Sequence, residues 1–253
     1  RFVSDLAEGN LYQARLQWDK AVAAFERAAS QNPDAPEPTF ALVRIDARQG
    51  KLAQAQHRLT GLIAKNPRHQ FAHGLLGEIL ILKGDPAGAE AEFRLATGLK
   101  PEWSTPWVNW VTLKLSQRKG EEANDILQRG LQVNPKNEEL RLLYASHLGD
   151  RGQFDQAITE YETILSQNPR DLMAANNLAA ILTDQKGDTK SLDRALALSR
   201  DFEQRAPNPF FPDTLGWVHL KMGHQDDALR VIQRAVAQAP QHPLLNYHLG
   251  MAH

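Results

Sequence analysis

The sequence predicts an all-α protein, built as a row of antiparallel helical hairpins. Three observations carry that prediction. Pro33, Pro67, Pro101, Pro135 and Pro169 are spaced by 34 residues each time. Twelve residues before each proline stands an alanine (Ala21, Ala55, Ala89, Ala123, Ala157), and four residues after each alanine a bulky residue (Phe25, Leu59, Phe93, Leu127, Tyr161). Gly50, Gly84, Gly120 and Gly152 interrupt the pattern near the middle of each period. A spacing of four puts two side chains on one helical face. A fixed period of this length is the mark of one supersecondary unit repeated along the chain.

The repeats run over 2–35, 36–69, 70–103, 104–137 and 138–171. The first half of each carries an apolar stripe, as Leu76, Gly77 and Leu80 or Tyr144, Ala145 and Leu148 show. The second half extends its own stripe through Ala28, Leu62, Ala96, Gly130 and Ile164. Proline lacks the amide hydrogen a helix needs and clashes with the preceding turn, so it ends the second helix. The asparagine that often precedes it suits a turn, and proline pushes that neighbour away from helical backbone. In the sixth repeat, 172–208, Ala195 and Pro207 arrive four residues late. The extra length falls around 183–193, at the inter-helix turn, where added residues cost little entropy. The seventh, 209–242, regains the period with Leu215, Gly216, Gly223, Ala228, Ile232, Ala235 and Pro240. Residues 243–253 form a lone helix whose Leu244, Leu245 and Tyr247 are expected to lie uncovered and to offer a route to oligomers.

Totals exclude several function classes. The 29 basic residues balance 30 acidic ones, which removes the electrostatic case for a nucleic-acid partner. The chain has no cysteine, so disulfides, zinc thiolates and thiol chemistry are out, in a pattern that suits cytosol and periplasm equally. No apolar run is long enough to insert in a membrane. Glycines stand singly at turns, without a phosphate-cradling loop, and no serine has a nucleophile-elbow context. No enzyme, cofactor or metal is expected. His69 and His73, four apart, are read as a surface pair, and His219 as a structural imidazole.

A helix-turn-helix unit of 34 residues with these favoured places resembles the tetratricopeptide repeat family in its bacterial multi-repeat type. The third repeat carries the likeness in Leu76, Gly77, Leu80, Gly84, Ala89, Phe93, Ala96 and Pro101. Departures are Glu8, Val43, Asp46, Lys114 and Gly130. The resemblance covers the whole chain and implies one array over 1–253, a right-handed superhelical solenoid whose first helices line a concave face. It implies a non-catalytic scaffold that binds a protein or peptide. Bacterial proteins of this type serve envelope assembly, secretion or exopolysaccharide export, which favours the periplasm. The alternative is a polysaccharide-binding or export module, or the repeat region of a larger glycosyltransferase-type protein.

In the family, the second, fifth, ninth, twelfth and thirteenth places of first helices face the concavity. Carried over, these are Asn10, Gln13, Arg44, Arg48 and Glu78, then Ser146, Asp150, Asn176 and Asp184, and finally Asp213, Trp217 and Lys221. The face is basic early and acidic late, so its ligand is expected to have complementary polarity. Arg44 and Arg48, four apart, are placed to hold a carboxylate jointly. Only Asn10 matches the family's C-terminal carboxylate clamp; Leu6 and Phe71 stand where its lysines would be. Trp217 with Asp213 supplies the aromatic face and the carboxylate that sugars need. Trp107 and Trp110 are read as helix packing, and Trp103 as the tryptophan free for function.

Overall fold

The computed structural model describes residues 1–205 and 208–253. Pro207, the expected stop of the sixth repeat, lies outside the described residues. Among these, every regular element is helical. The chain forms two compact units, Arg1–Pro135 and Lys136–His253.

The first unit contains α1 (Phe2–Ala14), α2 (Trp18–Gln31), α3 (Pro36–Arg48), α4 (Leu52–Lys65), α5 (Gln70–Leu82), α6 (Pro86–Leu99), α7 (Ser104–Ser116) and α8 (Gly120–Val133). The second contains α9 (Glu138–Asp150), α10 (Phe154–Gln167), α11 (Leu172–Ile181), α12 (Thr189–Ser199), α13 (Phe202–Arg205), α14 (Phe210–Lys221), α15 (Gln225–Gln238) and α16 (Pro243–Ala252). Where asparagine precedes the closing proline of a described repeat it takes extended backbone, as Asn32 does at φ −139° and ψ 83°. Its side chain then serves the turn. Asn66 Oδ1 accepts the Arg68 amide at 3.1 Å, and Asn134 Nδ2 donates to the Pro101 carbonyl of the previous repeat at 2.8 Å.

Within each hairpin the turn needs a left-handed residue. Gly50, Gly84, Gly152 and Gly223 supply it at φ between +73° and +79°. In the fourth repeat Gly120 interrupts the pattern by opening α8, and Arg118 takes the left-handed conformation at φ +58°. Leu16 does the same in the first repeat, at φ +57°. Side chains there cost about 1–2 kcal/mol, which the flanking helices absorb.

The core is built from the repeated pair of a small residue on the first helix and a bulky one on the second. A Cβ on Gly9 would lie 2.5 Å from the Phe25 ring, one on Gly77 2.4 Å from Phe93, and one on Gly216 2.5 Å from Ile232. Phe25 and Phe93 are fully buried. The sixth repeat breaks this rule. Its extra residues form a π-helical turn, Leu182–Lys186, closed by Gly187 at φ +63°. Ser199 then stands where the other repeats have a bulky residue and donates its hydroxyl to the Ala195 carbonyl at 2.8 Å. Such back-bonding bends helices, and the chain breaks between α12 and α13. Phe202 fills the core instead, 2% exposed and edge-on to Phe211 with ring centres 5.5 Å apart.

Two of the polar departures from the repeat pattern, Asp46 and Lys114, are buried and paired. Asp46, 2% exposed, accepts from Arg58 Nε at 2.8 Å. Lys114, also 2% exposed, lies 2.7 Å from Glu90 and 2.5 Å from Glu122. Burial opposes the charge on Glu90, but the Lys114 ammonium holds its carboxyl below the usual value of 4.5. Lys114 likewise loses by burial, yet its two carboxylates raise it above 10.5. His73 corrects the surface-pair reading. It is buried, with Nδ1 2.6 Å from Glu92 and Nε2 2.9 Å from the Pro67 carbonyl. Its neighbour His69 caps α5 through the Ala72 amide. Leu245 is also buried, while Leu244 and Tyr247 of the same helix are exposed as expected.

Two predictions follow from this packing. Gly77→Val should destabilise the chain by about 1–3 kcal/mol through overpacking against Phe93. Gly61→Ala, within α4 and facing open space, should be neutral or stabilise by up to about 1 kcal/mol; chemical denaturation of both tests the contrast. The second concerns acid. A carboxyl whose folded value is lowered contributes stability above its unfolded value and loses it as pH falls through the folded one. Tm should therefore drop below pH 4.5, and Lys114→Met should shrink that drop. Equal acid slopes in both proteins would show that the pair carries no linkage.

Candidate functional site

First helices of neighbouring hairpins meet side by side, and polar side chains join them. In the first unit, Asn109 Nδ2 of α7 donates to Glu78 Oε1 of α5 at 3.1 Å. Burial pushes the Glu78 carboxyl up, with Asn109 and then Arg44 pulling the other way. Between these two helices the surface sinks into a groove of about 550 Å³. Glu78, Ile81, Leu82, Thr105, Asn109 and Thr112 line it. Ile81 is 39% and Leu82 60% exposed, so the groove offers apolar contact with one carboxylate and one amide at its side.

The other expected residues of this unit lie on the same set of helices. Asn10 is exposed and Gln13 half-buried on α1. Arg44 and Arg48 are both exposed on α3, each beside a different neighbour. The Arg48 guanidinium rests 4.8 Å from the centre of the Trp18 ring, while Arg44 acts on Glu78. Trp103 is not free either: it meets Phe71 edge-on at 4.9 Å and covers Gly74, where a Cβ would lie 2.4 Å from its ring. Trp107 and Trp110 are buried in the packing, as read.

In the second unit most expected residues are engaged by the protein itself. Ser146 and Asn177 hydrogen-bond the buried Tyr161 hydroxyl, whose ionisation burial pushes up. Asn176 Nδ2 donates to Asn177 at 3.3 Å. Asp150 and Asp184 are exposed, but Asp184 accepts from Trp217 Nε1 at 2.7 Å. Asp213 is 3% exposed and lies 2.7 Å from His248 Nδ1. Trp217, 8% exposed, stacks on the His248 ring at 4.2 Å and carries the exposed Lys221 ammonium 4.7 Å from its centre. The pairing of Trp217 with Asp213 as a sugar platform is thereby corrected: α16 covers both. His219 is half-buried, with Nδ1 3.5 Å from that of His224, and burial lowers its basicity.

Two family models described as tetratricopeptide repeat match this chain, one over residues 6–68 and 114–182 and the other over 40–102 and 214–253. The chain belongs to the tetratricopeptide repeat family. The TPR repeat-containing protein PA4667 of Pseudomonas aeruginosa is 28% identical over 135 residues, 51% of this chain and 22% of that relative. The chain thus matches about a fifth of the relative's length. A tetratricopeptide repeat protein from Parabacteroides merdae has a similar fold, with TM-score 0.61, 18% identity and coverage of 99% and 98% of the two chains. PilW, a type IV pilus biogenesis factor, has TM-score 0.63 at 18% identity over 83% of this chain and 96% of its own.

Tetratricopeptide repeats are interaction scaffolds, and the groove of this one was only half visible in its sequence. Ile81, Leu82, Thr105 and Thr112 occupy the family's ligand-facing places, yet they are not among the residues carried over from the family above. Asn109 occupies a sixth place, outside that set, and is found only through its bond to Glu78.

The covered cluster in the second unit is itself testable. His248→Ala removes the partner of a buried carboxylate and should cost about 1–3 kcal/mol. Denaturation with tryptophan fluorescence should show that loss together with a red-shifted Trp217 emission. An unchanged spectrum would mean that α16 does not seal this site.

Proposed function

We propose that this tetratricopeptide repeat protein is a non-catalytic scaffold that takes a peptide segment of a partner protein into the α5–α7 groove. The observation that carries the reading is exposed Ile81 and Leu82 beside half-buried Glu78 and Asn109. Apolar side chains of a bound segment gain by leaving water at about 25 cal/mol per Å². The Glu78 carboxylate and Asn109 amide give an acceptor and a donor for its backbone, which fixes register. Arg44 and Arg48 extend the face with positive charge, and Asn10 and Gln13 with neutral polar groups.

The same proposal puts the scaffold in a bacterial envelope, secretion or exopolysaccharide assembly system. Its likeness in fold to a pilus biogenesis factor and its match to a repeat protein of Pseudomonas aeruginosa support that setting. A photo-crosslinking amino acid in place of Leu82 should capture a partner in cells. The same probe at Leu95, 48% exposed on α6, should not, and Thr112→Arg should reduce capture at Leu82 by about tenfold. Equal capture at both positions would remove the groove from the proposal.

A further inference from the structure

A second cavity has a different chemistry and is unrelated to the first-helix groove. It occupies about 310 Å³ where the end of α10 and the start of α11 face the α12–α13 break. Four guanidiniums line it: Arg170, Arg194, Arg200 and Arg205. Leu165, Leu172, Leu198 and Phe202 supply apolar wall.

The arginines differ in how far their donors are already used. Arg194 binds Glu162, with Nη2 3.0 Å from Oε2. Arg205 reaches the Arg170 carbonyl at 3.5 Å. Arg200 sits 3.9 Å from Asp201, beyond hydrogen-bond range. The Arg170 guanidinium has no partner among the described residues. Of the carboxylates, Asp171 is spent on capping α11 through the Ala174 amide at 2.8 Å. Counting Asp171, Asp201 and Glu162 against the four arginines still leaves the cavity positive.

Loop clamping does not account for so many cations. The first unit has the corresponding notch, about 250 Å³ between Pro33, Thr39, Gly61, Leu62 and Lys65. There Lys65 alone holds the loop, donating to the Pro33 carbonyl at 3.1 Å, and the nearby Arg58 is committed to Asp46 and Glu26. Arg205 repeats the role of Lys65. Arg170 and Arg200 are additional, and Arg200 stands at the helix break that follows Ser199.

We propose that this cavity binds a small organic acid. Arg170 and Arg200 take the oxyanion head, since a guanidinium matches carboxylate and phosphate with paired hydrogen bonds. The leucines and Phe202 cover an apolar body. The volume lies at the lower end of the ~300–1,000 Å³ of small-molecule sites.

Isothermal titration of the full chain tests this with phenyl phosphate, benzoate and neutral phenol, the first two separating a phosphate from a carboxylate head. At least one acid should bind in the millimolar range or better, and phenol should not. Arg170→Ala and Arg200→Ala, both at exposed positions, should each weaken binding about tenfold with unchanged circular dichroism. Arg68→Ala, exposed and outside the cavity, should leave it intact. Absence of heat with both acids overturns the site, as does affinity that neither cavity variant changes.

Discussion

The architecture of each unit depends on how closely the two helices of a hairpin approach. Gly9, Gly77 and Gly216 present bare backbone to Phe25, Phe93 and Ile232, leaving no room for a Cβ. That contact sets the hairpin geometry, and the hairpin then has one apolar face left over. Stacking the next hairpin buries it, so stability accrues from neighbour to neighbour. The 34-residue period is the sequence expression of this constraint, because each neighbour must offer the same complementary surface.

Where a repeat departs from the pattern, the structure compensates locally. Asp46 and Lys114 take a place that other repeats fill with Leu80 or Leu148, and each finds opposite charge on an adjacent helix. A buried ion lacking a partner would cost several kcal/mol, so partner and ion must be specified together. The sixth repeat compensates differently, by exchanging the places of its small and large residues. Ser199 fits where a ring would otherwise stand, Phe202 supplies the lost volume, and the helix breaks between them.

These departures also separate two kinds of surface. The α5–α7 groove belongs to the regular pattern, since its residues stand at places every repeat has. The arginine-lined cavity belongs to the irregular repeat, whose helix break brings Arg200 beside Arg170 and Arg194. A repeat array thus carries a shared mode of recognition and, at a fault in the repeat, room for a private one.

The sequence by itself determined the helical class, the hairpin length, the proline stops and the buried stripe, because these follow from periodicity within a few turns of chain. It also located the insertion near residues 183–193, where the π-helical turn lies. It took His73 for a surface residue, and it did not reveal that Arg118 rather than a glycine bears the left-handed turn of the fourth repeat. Only the tertiary structure decided which first-helix residues remain accessible. Glu78 depends on Asn109, 31 residues on, and Asp213 on His248, 35 residues on. Local periodicity tells which way a side chain points; what then covers it is set by a neighbouring helix whose packing no short stretch of sequence encodes.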